Sequence, residues 1–475
     1  MASFRRAESK SNLERFKQHP VSPHDLRWIA SDYRLVIRDV ESLKVVQLYS
    51  CLDKISYVEW APDSEYILCG LYKRAMVQAW SVSQQEWTCK IDEGLAGISH
   101  ARWSPDSRHI ITTSEFQLRL TVWSLVNTAC VHVLWPKHGS KGVSFTKDGK
   151  FAAFATRKDC KDYVNLLACH SWEIISTFPV DTIELLDLEW SPNDSAIAVW
   201  DCPLEYKVLI YSPDGRCLFK FQAYESGLGV KTVAWSPCGQ FLGVGSYDQV
   251  GRVLNHLTWK SVAEFAHPSV VRHPVTAVVF KEIEEPAELD MSSLSIDEDA
   301  VQKSSQNGTD NSSATGSTRV RYAVAEFPIP LPFQKAPVDK PNPKQGVGLM
   351  SWSADSRYLL TRNDNSPTVL WIWDISRLEL AALLIQKDVI RAAAWDPIYP
   401  RVALCTGSSH LYMWTPAGAC CVKVPLPQFS VLDMKWNFDG TSLLLKDKES
   451  FCCTFVPMLP DFETNESPQD SEGEI

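Results

Sequence analysis

The sequence has no run approaching the roughly 18 apolar residues of a membrane-spanning helix. Its opening stretch, Met1 to Pro20, lacks the apolar core of a secretory signal. It has no Cys-x-x-Cys spacing, so its 14 cysteines spell no common zinc code. Cys420-Cys421 and Cys452-Cys453 are adjacent pairs, and neighbours on a strand point to opposite faces. We expect reduced thiols inside the core of an intracellular protein. There is no Gly-x-x-x-x-Gly-Lys phosphate loop, no His-Glu-x-x-His and no Gly-x-Ser-x-Gly elbow. The 11 histidines are scattered, and the loose pairs His19/His24 and His267/His273 lack a Cys or acidic partner at ligand spacing. Asp201 and Glu205 are close in sequence only. No nucleophile, base and orienting group come together. No catalytic, cofactor-binding or metal residue is therefore assigned, and no cofactor is expected. Positive charge is also short: Lys and Arg total 47 against 57 Asp and Glu, for a net charge of −10. That balance argues against nucleic acid or an anionic membrane as the partner.

Tryptophan, by contrast, is abundant, with 18 residues. Seven of them open a recurring phrase: an aromatic, a small or polar residue, usually Pro, then usually Asp or Asn. It begins at Trp60, Trp103, Phe145, Trp190 and Trp235, and resumes at Trp352, Trp395 and Trp436. The steps are 43, 42, 45, 45, 117, 43 and 41 residues. A period of about 40–45 residues built from short strands marks a WD-type β-propeller. Within one unit, Ile55 to Trp60 alternates apolar and polar as a half-buried strand does. Ala61-Pro62-Asp63-Ser64 is turn chemistry. Tyr66 to Gly70 and Met76 to Trp80 read as covered strands, and Trp87 to Ile91 as a more exposed fourth. A second aromatic follows the first by 19–21 residues, as in Trp60/Trp80, Trp103/Trp123, Trp190/Tyr211 and Trp395/Trp414. Aromatics at such even spacing are expected to pack between neighbouring sheets, since a four-stranded sheet cannot bury both faces alone.

Eight units carry the phrase. A partial unit precedes them around Trp28, Arg34–Val40 and Val45–Tyr49, and the 117-residue step hides strands at Val275–Phe280 and Arg321–Phe327. The expectation is all-β: a propeller of about nine to ten blades, with one large ring favoured over two unequal arrays. The expected organisation is a basic, helical or disordered segment at 1–26, blades at 27–280, a disordered acidic and Ser-rich insertion at 281–318, further blades at 319–458, and a disordered acidic tail at 459–475. Gly227/Gly229 and Gly346/Gly348 precede first strands and are expected to serve turns.

Several stretches outside the phrase carry a closer likeness. These are Tyr33–Val40, Cys89–Gly94, Arg157–Val164, Gly245–Asp248, Leu254–Lys260 and Arg362–Pro367. They resemble the WD-repeat-eight family, whose vertebrate member is named for lying antisense to a tumour-suppressor-related gene. The resemblance runs from about Arg27 to Phe455. It implies a non-enzymatic scaffold at the centrosome, centriolar satellites and spindle poles. The implied partners are the coiled-coil SSX-interacting protein and other spindle-pole proteins, with a minus-end-directed kinesin and the γ-tubulin machinery beyond them. The implied roles are microtubule minus-end anchoring, spindle assembly and ciliogenesis. No catalytic residues come with the family. The front departs from it: the family's first repeat begins with an aromatic-Ser-Pro-Asp-Gly strand, which 1–26 lacks, leaving the first blade with an unpaired edge. The alternative is a propeller that serves as a hydrolase or as a translation or RNA-linked factor.

Overall fold

A computed structural model describes residues 3–8, 26–31, 33–39, 42–84, 86–272, 277–286, 318–336 and 343–456. Among them, apart from three single-turn 3-10 segments, every regular element is a strand. None of the helices is long and apolar enough to cross a membrane.

The strands form nine successive radial sheets, or blades, lettered a to d in chain order within each. Blade 2 (Tyr57–Trp60, Tyr66–Leu71, Met76–Ser81, Thr88–Asp92) sets the pattern, and blades 3 to 6 repeat it from His100 to Ala266. Blades 7 (Val347–Ile385) and 8 (Ala392–Lys423) continue it, and blade 9 begins at Asp433–Trp436. Blade 1 shows three strands, Leu26–Ser31, Arg34–Asp39 and Val45–Ser50, in the b, c and d places, since Tyr49 of the last stacks on Trp80 of blade 2 as Phe265 of strand d in blade 6 does on Trp373.

The repeated phrase is a turn with a mechanism. The Asp or Asn accepts a hydrogen bond from the backbone N–H two residues on, as at Arg108 to Asp106 (2.9 Å) and Arg357 to Asp355 (3.1 Å). The next residue then turns left-handed: Ser64, Ser107, Gly149, Asp194, Gly239, Ser356 and Gly440 all have φ between 57° and 71°. The turns also bond across blades. The N–H of Asp63 donates to Ser107 Oγ (3.0 Å), that of Lys147 to Asp194 Oδ1 (2.9 Å) and that of Cys238 to Ser356 Oγ (3.0 Å).

The tryptophans follow an equally regular rule. The indole N–H of strand a donates to the carbonyl of the residue just before the tryptophan of the preceding blade. Trp103 reaches Glu59 (3.3 Å), Trp352 reaches Ala234 (3.0 Å), Trp395 reaches Ser351 (3.0 Å) and Trp436 reaches Ala394 (3.1 Å). Adjacent a strands are thus neighbours, which makes them the inner wall of a ring. The indoles of Trp190 and Trp235 are buried without such a partner. Rings stack across the same interfaces: Tyr49 on Trp80 at 5.2 Å, Phe265 on Trp373 at 4.4 Å and Phe241 on Trp352 at 6.1 Å.

Apolar clusters join each blade to the next. The last unites Leu444, Phe451 and Cys453 of blade 9 with Val36 and Leu43 of blade 1, so the ring closes on itself. The single array is therefore the one observed, with nine blades among the described residues.

Three expectations change. Segment 1–26 is not wholly helical or disordered: Ser3–Glu8 is a strand, and Leu26 opens the first strand of blade 1. Ser3–Glu8 pairs antiparallel with Ser450–Phe455 as the fourth strand of blade 9. The rest of that segment lies outside the described residues. The hidden unit of the 117-residue step is not a tenth blade. Val278–Pro286 and Thr318–Val324 form a hairpin, and the former adds in parallel to Glu379–Ile385, widening blade 7 to six strands. Lys281–Pro286, assigned by its glutamates to the disordered insertion, belongs to this hairpin because those acids have partners. Glu282 accepts from the Tyr412 hydroxyl (2.7 Å), Glu284 pairs with Lys387 (2.8 Å) and Glu285 pairs with Arg321. Residues 287–317 and the expected tail 459–475 lie outside the described residues.

Candidate interaction surface

Antiparallel order puts all b–c turns and d–a connections on one face of the ring, and all a–b and c–d turns on the other. Buried polar networks fasten the first face. Glu93, on the connection into blade 3, is 6% exposed. Its carboxylate accepts from Thr112 Oγ1 (2.5 Å), Trp123 Nε1 (3.2 Å) and Arg119 Nη2 (2.9 Å). Thr361 does the same work in blade 7, accepting from Trp373 Nε1 at 2.8 Å and meeting His267 Nε2 at 2.8 Å. Burial pushes the His267 imidazole down to about 4, so it is neutral near pH 7. Asp162 Oδ2 accepts from Leu185 N–H (2.7 Å) and Thr182 Oγ1 (3.0 Å), with Arg157 and Lys137 alongside. Asp201 caps the N–H groups of Ile183 (2.7 Å) and Glu184 (2.8 Å).

His267 and Asp201 are network members; His19, His24 and His273 lie outside the described residues. Gly229 and Gly346 permit close backbone approach. A Cβ on Gly229 would lie 2.3 Å from the Glu205 carbonyl, and one on Gly346 2.4 Å from that of Ser246. Glu93 has no sequence signal beyond its place in the Cys89–Gly94 stretch. Among the described residues, no three His, Cys, Asp or Glu side chains converge as a metal-binding group.

On the inner strands, burial raises two carboxyls to about 7. At Glu59 the carboxylate accepts the Trp103 N–H (3.1 Å), and at Glu189 the Asp187 charge adds to burial. Both folded values exceed the ordinary 4.5. Their contribution is therefore full below pH 4.5 and is lost as pH rises through about 7. Glu189→Gln should raise stability by about 1–3 kcal/mol at pH 8 and leave it unchanged at pH 4. Urea titrations at the two pH values measure this, and an equal effect at both would contradict it.

A cleft of about 500 Å³ opens between blades 7 and 8, beside the added hairpin, lined by Phe280, Tyr358, Arg377, Leu380, Trp414 and Pro416 among others. Five of the six family-like stretches touch the b–c and d–a face. Tyr33–Val40 opens at the b–c turn of blade 1, and Cys89–Gly94 runs into the d–a connection of blade 2. Arg157–Val164, Gly245–Asp248 and Arg362–Pro367 span b–c turns. Leu254–Lys260 lies on the opposite face.

Nine radial sheets fastened by repeated turns and indoles define a WD-repeat β-propeller, the architecture of a protein-interaction scaffold. Residues 215–253 match the family model of the WD domain, G-beta repeat. The chain is 46% identical over 435 residues to the WD repeat-containing protein WRAP73 of Mus musculus, covering 91% of this chain and 92% of that protein. It therefore belongs to the family of WD-repeat proteins that includes WRAP73. An uncharacterized WD repeat-containing protein of Schizosaccharomyces pombe is 23% identical over 450 residues, covering 87% of this chain and 84% of that protein. Among solved structures, the C-terminal WD40 domain of Sif2 superposes with a TM-score of 0.49 at 13% identity, covering 85% of this chain and 96% of that one.

Proposed function

We propose that this protein is a non-enzymatic scaffold of the centrosome, centriolar satellites and spindle poles. It binds the coiled-coil SSX-interacting protein and thereby helps to anchor microtubule minus ends, assemble the spindle and support ciliogenesis. The carrying observation is where the family-like stretches fall. Five of the six stretches touch one face, where Glu93 and Asp162 within them hold the loops in place, so the likeness gathers on one loop surface. Loops on a rigid frame are where binding residues concentrate. A coiled-coil partner presents helices, and helix docking on a surface groove needs no rearrangement of a closed ring.

The test is direct binding. The purified full chain and the purified SSX-interacting protein should co-elute as a complex. Hydrogen exchange should slow on the b–c and d–a face. Separate elution at micromolar concentrations, or no co-localisation at spindle poles in dividing cells, would defeat the reading.

A further inference from the structure

The b–c turn of blade 3 holds a phenylalanine where the backbone favours glycine. Phe116 has φ 58° and ψ 16°, and Gln117 follows with φ 50°. Two consecutive left-handed residues are the geometry that Asn-Gly ordinarily supplies. Trp135, just after the outer strand of the same blade, is left-handed too, with φ 58°. A left-handed backbone strains each of these side chains, and the Phe116 ring recovers little of that by burial. Phe116 is 84% exposed and Trp135 50% exposed, while Leu95 beside them is fully exposed.

These side chains share one platform. A Cβ on Gly97 would lie 2.6 Å from the Glu115 side chain, so the Leu95 loop sits against the Phe116 turn. Trp135 N–H donates to the Leu118 carbonyl (3.1 Å), and Arg157 N–H donates to the Trp135 carbonyl (2.9 Å). A bridge between Pro136 and Thr156 fixes the Trp135 loop to blade 4. On the loops carrying and flanking Leu95, Phe116, Leu118 and Trp135 are the exposed Lys73, Lys141, Lys158 and Lys161, with Arg74 paired to Asp53 (3.5 Å), against the exposed Asp92, Glu115 and Asp159. This is a positive excess on a chain whose net charge is −10.

We infer that this platform docks an amphipathic helix of a partner protein, apolar along one ridge and acidic on its flanks. The inference rests on the scaffold reading and gives it a place. Backbone chemistry favours a helix over an added strand. The Ser114, Trp135 and Arg157 N–H groups and the Arg119, Leu118 and Trp135 carbonyls already bond within the platform. A helix satisfies its own backbone and asks only for apolar contact and charge, whereas strand addition needs a free edge. A second copy of this chain offers no α-helix among its described residues.

The probe is a synthetic helix of about three heptads, with Leu on one ridge and Glu on both flanks, beside a counterpart with Lys flanks. With the full chain, the Glu-flanked helix is expected to bind at micromolar Kd and to slow hydrogen exchange at 94–97, 114–119 and 135–138. The Lys-flanked helix should bind roughly tenfold more weakly or worse, and Phe116→Asp and Trp135→Ala should each weaken binding by roughly tenfold or more. Phe116→Gly separates docking from folding: it should raise the melting temperature by relieving the turn while binding is lost. No binding of the Glu-flanked helix, unchanged binding by Phe116→Asp, or a melting temperature lowered by Phe116→Gly would overturn the inference. Self-association of the chain through this platform would overturn it as well. If the SSX-interacting protein binds Phe116→Asp as tightly as wild type, the inference fails and the scaffold reading stands. If the synthetic helix docks here but that protein does not bind at all, the scaffold reading fails and the docking site stands.

Discussion

Asp396→Ala should cost about 3–5 kcal/mol of stability, the range for removing one partner of a buried ion pair. Asp396 and Arg401 are fully sequestered, with side chains 0% and 4% exposed. The guanidinium donates to Asp396 Oδ2 through Nε at 2.9 Å and through Nη2, and Nη2 also reaches the Gly440 carbonyl of blade 9 at 3.0 Å. It lies over the Trp436 ring at 4.9 Å. Without the carboxylate, a cation stays buried at the seam of blades 8 and 9 with no counter-charge from Asp396. Asp396→Ala combined with Arg401→Leu should recover part of the loss, because the uncompensated charge goes with its partner. Chemical denaturation of the three variants measures the coupling. A cost under about 1 kcal/mol for Asp396→Ala would show that the seam does not depend on this pair.

The second large effect is expected from deleting residues 1–8. Ser3–Glu8 covers the outer edge of blade 9 along its whole register, from Ser3 opposite Phe455 to Glu8 opposite Ser450. Removal leaves Ser450–Phe455 as an open edge, and an open edge recruits another chain. Each lost inter-strand bond is worth about 0.5–1.5 kcal/mol net. The deletion should therefore lower stability by on the order of 3 kcal/mol and drive concentration-dependent self-association. Light scattering during size exclusion, with denaturation in parallel, reads both. A monomer with the wild-type midpoint would show that blade 9 is complete without this strand.

Much of the frame was legible because it rests on local rules. The aromatic-Ser-Pro-Asp phrase marks a turn that each blade needs, and it located eight of the nine blades. The second aromatic marks strand c. What stayed hidden depends on contacts distant in sequence. Ser3–Glu8 pairs with residues at the other end of the chain, and nothing in its own pattern names that partner. The glutamates of Lys281–Pro286 read as disorder because Tyr412, Lys387 and Arg321, which hold them, lie elsewhere in the sequence. The phrase at Trp395 lacks its usual fourth-position acid, and only the structure shows Asp396 turned inward to Arg401. The platform at Phe116 was the least visible, since a left-handed phenylalanine reads in sequence as an ordinary core residue.

The pairing of Ser3–Glu8 with Ser450–Phe455 also sets a timetable for synthesis. About 440 residues separate the two strands. At ribosomal rates of 5–20 residues per second, the earlier strand waits roughly 20–90 s for its mate to be made. Intermediate blades can stack as they emerge, but the circle stays open until translation has passed Phe455. During that interval the waiting strand is exposed to whatever edge it meets first, so nascent chains crowded on one messenger RNA are at greatest risk of exchanging it with one another.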